Sequence, residues 1–161
     1  QVLGETDPNV ITYSKTLEVA LTNQCRNTCG YYPFRGERDL KVPYSTINKT
    51  KQSRSRGTRE AFYIAGERPD RDPKIRSLLN LWGFNTYAEY IYTVVELGFL
   101  EGLIPVIETG ISTVDELKKY QEISALYKVM LTSVNEHAFT KGYSKNIEKQ
   151  LYLVFKINFF D

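Results

Sequence analysis

The stretch CRNTCGYYPFR, Cys25 to Arg35, places two cysteines four apart with Gly30 and two tyrosines close behind. Thiolates are soft ligands, and a loop lets several of them converge on one metal centre. Read forward from Cys25 the spacing is C-x-x-x-C-x-x-Y. A cysteine at position 32 would complete a tight three-thiolate loop for an iron–sulfur cluster, but the residue there is Tyr32. A phenol has a pKa of about 10 and offers a hard oxygen, so it is a poor substitute for a thiolate. Two cysteines at this spacing are often packing residues or free thiols. The stretch therefore has three readings: a metal site with one ligand missing, a site that never existed, or a site that has been lost.

The loop needs elements to position it. TLEVALTN, Thr16 to Asn23, is rich in Val, Leu and Thr and predicts a strand running straight into Cys25. Tyr44 to Gly57 predicts a helix ended by Gly57. Ala61 to Ala65 is a short apolar run closed by Gly66, the mark of a buried strand. From Asn85, the candidate N-cap, Tyr87, Ile91, Val94, Val95 and Phe99 recur at helical spacing. LIPVIETG predicts a third strand, Ser112 or Thr113 opens a capping-box-like helix start ahead of Asp115 and Glu116, and ALYKVMLTS predicts a fourth strand. Ile147, Leu151, Val154 and Phe155 share a helical face in the tail, while residues 1–12 read as an irregular lead-in.

Strands alternating with helices imply a parallel sheet with right-handed crossovers. No Gly-x-Gly-x-x-Gly follows the first strand, so a dinucleotide fingerprint is absent. The expected fold is α/β: a single domain over residues 1–161 forming a partial parallel (β/α) barrel of about four units. A complete eight-unit barrel needs at least about 200 residues. In such folds chemistry gathers on the loops after the strands. Those loops carry the cysteine stretch, GERP, ETGIS and TSVNEH.

Composition narrows the function classes. The net charge of +2 demands neither nucleic acid nor an anionic membrane. The basic run KTKQSRSRGTR lacks interleaved stacking aromatics and reads as a solvated helix face. No apolar run approaches the roughly 18 residues of a membrane span, and no secretory signal opens the sequence. A cytoplasmic, reducing compartment is expected, which disfavours a disulfide between Cys25 and Cys29. His137 is the only histidine and reads as a surface or structural residue. Glu108, ending the third strand, is placed either to line a pocket or to cap the next helix. The tyrosines and phenylalanines after Asn85 read as core.

Together, TYSKT, LTNQCRNTCGYYPFR, SRGTREAFYIAGERPD, LEGLIPVIETGISTVDELKK and ISALYKVML resemble the cyclising subunit of 7,8-didemethyl-8-hydroxy-5-deazariboflavin (FO) synthase, a radical S-adenosylmethionine enzyme of deazaflavin coenzyme biosynthesis. The resemblance runs from about Ile11 to about Phe139, leaving residues 140–161 as a divergent tail. It implies a 4Fe-4S cluster held by three cysteines, with one iron left open for S-adenosylmethionine. Carried over, Cys25 and Cys29 match the first two ligands, Tyr31 the aromatic residue near the adenine, and Tyr32 the third-ligand position, substituted. Gly66 and Glu67 match the element that receives the substrate ammonium. A glycine at a strand end lets backbone approach a ligand closely, and a carboxylate pairs well with an ammonium. The plainer alternative for Glu67 is a surface salt bridge to Arg59 or Arg68. Thr132 and Ser133 fall where the family contacts the ribose.

The family reaction is a radical, ammonia-releasing cyclisation of a small-molecule adduct of a tyrosine-derived fragment and a ribitylaminouracil, with a second FO synthase subunit as functional partner. Tyr32 and the missing later strands predict that this chain is a truncated or degenerate copy, inactive alone and prone to self-association. The alternative from another class is a non-catalytic remnant or interaction protein with no cluster.

Overall fold

In the first strand, β1 (Thr16–Thr22), Val19 and Leu21 are buried while Glu18 and Ala20 are exposed, the two-residue alternation of a strand covered on one face. The computed structural model describes residues 10, 11, 13–27 and 39–129. A bulge between Ala20 and Thr22 breaks the alternation, so that Thr22 is buried as well as Leu21. Bulges re-aim a strand end, and this one sits just ahead of the cysteine loop.

Helix α1 (Pro43–Ser55) carries proline in its first turn, where the missing N–H costs nothing. It stops at Ser55, and Gly57 takes φ +82° with its N–H on the Arg54 carbonyl, the left-handed stop that the sequence led us to expect. Strand β2 (Glu60–Ala65) follows. Next comes an element the sequence reading did not contain: a 3₁₀ turn, Pro69–Arg71, leads into helix α2 (Pro73–Leu81). Asp72 caps α2 by accepting the Lys74 N–H at 2.9 Å, and Pro73 takes the first position.

Helix α3 (Tyr87–Leu100) is capped by Thr86, not Asn85. The Thr86 side chain accepts the Glu89 N–H at 3.1 Å, while the Asn85 N–H donates to Glu89 Oε2 at 2.9 Å. Tyr87, Tyr90, Ile91, Val94 and Val95 are buried as expected, but Phe99 is half exposed, because it sits in the last turn. Strand β3 (Ile104–Glu108), helix α4 (Val114–Tyr120) and strand β4 (Leu126–Tyr127) complete the described chain. Thr113 and Glu116 form a full capping box at the start of α4. The order is thus βα-βαα-βα-β rather than strict alternation. Of the stretch expected as a fourth strand, residues from Met130 onward, and with them the tail expected to be helical, lie outside the described residues, as does the lead-in up to Asn9.

The four strands pair in the order β1-β2-β3-β4, all parallel. A doubly wound sheet reverses its order at a switch point, and this one does not. Right-handed crossovers in one direction put the helices on a single face. Val19, Leu21, Ala61, Tyr63 and Ile107 lie on that covered face and are buried with the apolar side of α3. Phe62, Ile64, Val106 and Glu108 on the opposite face stay part-exposed. This is a partial parallel (β/α) barrel, with the uncovered face as its inner wall.

Candidate functional site

Where β1 ends, the chain is fastened before it enters the cysteine loop. The Gln24 N–H donates to Thr22 Oγ1 at 3.0 Å, and the Thr22 hydroxyl donates to the Asp39 carbonyl. The Lys41 N–H donates to the Leu21 carbonyl at 2.9 Å, and Tyr90 Oη donates to the Lys41 carbonyl at 2.7 Å. The far described end of the loop, Asp39, is therefore held near the carboxyl end of β1.

The exit of β2 meets that loop closely. The Gly66 N–H donates to the Thr22 carbonyl at 3.2 Å and the Arg26 N–H to the Glu67 carbonyl at 2.9 Å. A Cβ on Gly66 would lie 2.0 Å from the Gln24 carbonyl oxygen and 2.8 Å from the Cys25 Cβ. The close approach that requires glycine here is thus one loop against another. Cys25 Sγ accepts two backbone N–H groups, from Glu67 at 3.2 Å and Asn27 at 3.4 Å. Amide donors aimed at a sulfur are a standard means of tuning a metal-bound thiolate.

Glu67 is buried, 4% exposed, and its partner is Arg26 rather than Arg59 or Arg68. The Arg26 guanidinium is ion-paired with Glu67 Oε1, and Asn27 Nδ2 donates to Oε2 at 3.1 Å. Behind the carboxylate stands Gly110 at φ +81°, where a Cβ would come within 2.6 Å of the Glu67 Cβ and Cγ. Arg68 turns away in the left-handed region, φ 45°, and binds Glu116 Oε1 at 2.8 Å and Asp70 Oδ2 at 3.3 Å. Burial tends to lower the Arg68 pKa, but Glu116 and then Asp70 outweigh it and raise it. The β1, β2 and β3 exits are thereby tied together through Glu67 and Arg68.

Glu108 does not cap α4, which Thr113 does. It lies on the open sheet face in an ion pair with Lys128 at 3.2 Å, and Lys128 Nζ stands 5.2 Å over the Phe62 ring. Tyr127 Oη donates to the Gly110 carbonyl at 2.6 Å and shares a 2.8 Å hydrogen bond with Ser112, pinning the β3 exit.

Of the residues singled out in the sequence, Cys25, Gly66 and Glu67 are brought together. Cys29, Tyr31, Tyr32, Thr132, Ser133 and His137 lie outside the described residues. Among the described residues no group of three or more His, Cys, Asp and Glu could hold a metal ion. Gly110 and the pairing of Arg26 with Glu67 were not foreseen. The glycine in ETG was a visible signal, but which arginine pairs with Glu67 depends on the register of β1 against β2.

A cysteine-bearing loop on the first strand of a sequentially ordered parallel sheet, seated on a buried carboxylate from the second, defines the class: a barrel-type α/β protein with its candidate site at the strands' carboxyl ends. No family model matches the chain. It is 32% identical over 142 residues to a 7,8-didemethyl-8-hydroxy-5-deazariboflavin synthase of Methanoregula boonei, a match covering 84% of this chain and 43% of the relative. Synthases of the same name from Methanococcus aeolicus (32% identity, 80% of this chain, 37% of the relative) and Methanococcus maripaludis (34%, 81% and 40%) match similarly. The chain is thus similar to 7,8-didemethyl-8-hydroxy-5-deazariboflavin synthases and spans about two-fifths of the length of the curated relatives it matches. No helix among the described residues is long and apolar enough to cross a membrane.

Proposed function

We propose that this chain is an FO synthase-like protein of the radical S-adenosylmethionine type, and that the family's radical cyclisation is impaired in it at the cluster loop. The observation that carries this reading is the donor set. Cys25 leaves β1 with its sulfur between two amide donors, as a metal-bound thiolate would be held, yet Cys25 and Cys29 are the only cysteines and Tyr32 stands in the third position. Two thiolates and a phenol do not fit a three-thiolate 4Fe-4S site. S-Adenosylmethionine is a different matter: its α-ammonium suits a buried carboxylate at the strand exits, and Glu67 is one. The small-molecule substrate and a second synthase subunit belong to the same reading. So does self-association.

Anaerobic iron–sulfur reconstitution tests the reading. The unmodified chain should give a weak or labile 4Fe-4S signal by absorbance and electron paramagnetic resonance, and Tyr32→Cys should give a stable one. A stoichiometric, stable cluster in the unmodified chain overturns the ligand-loss argument. The same tyrosine favours a second reading, a non-catalytic protein with no cluster. In that case Tyr32→Cys gains nothing, because the rest of the loop no longer forms the site.

A further inference from the structure

Glu67 is buried but incompletely satisfied. Its Oε2 accepts from Asn27, whereas Oε1 has the Arg26 ion pair and no directed hydrogen bond. Arg26 is in the same position: its Nε is buried without a hydrogen-bond partner, and its side chain is 14% exposed. A well-matched arginine–carboxylate pair engages two parallel N–H···O bonds. This one makes a charge contact and leaves donors and acceptors unused, at the point where three strand exits converge. A buried carboxylate without a counter-charge is costly, so some cation must stand there when no ligand does.

We propose that Arg26 is a placeholder cation: its guanidinium occupies Glu67 until an alkylammonium ligand, of the α-amino-acid class, displaces it. This rests on the reading of Glu67 as the receiver of the S-adenosylmethionine ammonium. Arg26 and the ammonium compete for one carboxylate. A ligand whose site is open only a fraction of the time binds more weakly by that fraction. The displaced guanidinium, on the first residue after Cys25, moves toward solvent and gains the hydrogen bonds it lacks.

The test is calorimetric titration of the purified chain with S-adenosylmethionine and, separately, with S-adenosylhomocysteine, which keeps the ammonium and lacks the sulfonium. Arg26→Gln should tighten binding of both by roughly tenfold or more, the gain expected if the site is open about a tenth of the time. Arg26→Lys, which keeps a competing charge, should stay near the unmodified chain, and Glu67→Gln should lose binding. A second measurement needs no variant. Phenylglyoxal labelling of Arg26, read by mass spectrometry, should increase when ligand is added. Binding that Arg26→Gln weakens or leaves unchanged, or ligand that shields Arg26, overturns the proposal while leaving the S-adenosylmethionine reading in place. No binding by any folded form removes that reading and the proposal together, whatever the iron content shows.

Discussion

Gly66 shows how one residue type fixes the geometry around Cys25. Its missing Cβ is the space that the Gln24 carbonyl and the Cys25 Cβ fill. Both obstructions are backbone or the first atom of a side chain, so neither can rotate aside. Gly66→Ala must push the β1 exit away from β2, lengthening the bonds from Gly66 to Thr22 and from Arg26 to Glu67. Overpacking of this kind costs about 1–3 kcal/mol. We expect a fall of that size in a urea melt, together with faster alkylation of Cys25 as the displaced β1 exit opens its part-buried sulfur to solvent. An unchanged melt and an unchanged alkylation rate would show that the loop is not seated on Gly66. Gly66-Glu67 was conspicuous in the sequence, since a strand-ending glycine followed by a carboxylate stands out. The identity of the neighbours was not. Glycine was read as making room for a ligand, whereas the room is taken by the cysteine loop, and only the β1–β2 pairing with its bulge at Leu21 brings that loop across.

At the scale of elements, α3 packs on the sheet through a second missing side chain. Gly98 is buried in the helix, and a Cβ there would lie 1.7 Å from Tyr63 Oη, at the end of a fully buried ring on β2. Replacing a helical glycine with alanine ordinarily stabilises by about 1 kcal/mol. Here the sign should reverse. Tyr63 cannot swing out of the core, so Gly98→Ala should lower stability by about 1–3 kcal/mol in a denaturant melt. Adding Tyr63→Phe, which removes the obstructing oxygen, should recover much of that loss; if the two effects simply add, the contact is not the cause. The strands and α3 could be read from their apolar pattern, because one face of each meets the core, and α1 and α4 from their end signals. Helix α2 was missed although its Asp72-Pro73 start was visible, since the charges of GERPDRDP mask the short apolar stripe of Ile75 and Leu79. Phe99 shows the opposite failure. It keeps the helical spacing, but lies in the final turn, and is left half exposed.

The whole molecule has an unusual core, because tyrosines supply much of its volume. Tyr63, Tyr90 and Tyr120 are among its largest fully buried side chains, Tyr87 stacks on Tyr90 at 6.0 Å, and Tyr120 stacks on Tyr127 at 5.8 Å. Burial pushes the Tyr63 phenol up to about 12 and raises Tyr87, Tyr90, Tyr120 and Tyr127 as well. Neighbouring Tyr90 adds to the rise at Tyr87, and Glu116 to that at Tyr120. The sign of the consequence follows from proton counting. An unfolded phenol titrates near pH 10, while the folded one keeps its proton to a higher pH. Between those limits the unfolded chain has released protons that the folded chain retains, so stability is full below about pH 10 and falls as pH rises above it. Each such tyrosine costs about 1.4 kcal/mol per pH unit in that window. Several acting together are comparable, within one or two units, with a typical domain stability of about 5–15 kcal/mol. Denaturant melts should therefore show little loss up to about pH 9.5 and a steep one beyond it. Phenolate absorbance near 295 nm should rise in two stages: a gradual one for exposed tyrosines, then a cooperative one coinciding with loss of the far-ultraviolet circular dichroism signal. A single smooth titration of all the tyrosines, with the circular dichroism signal intact, would mean that the rings packed between α3, α4 and the sheet are open to water.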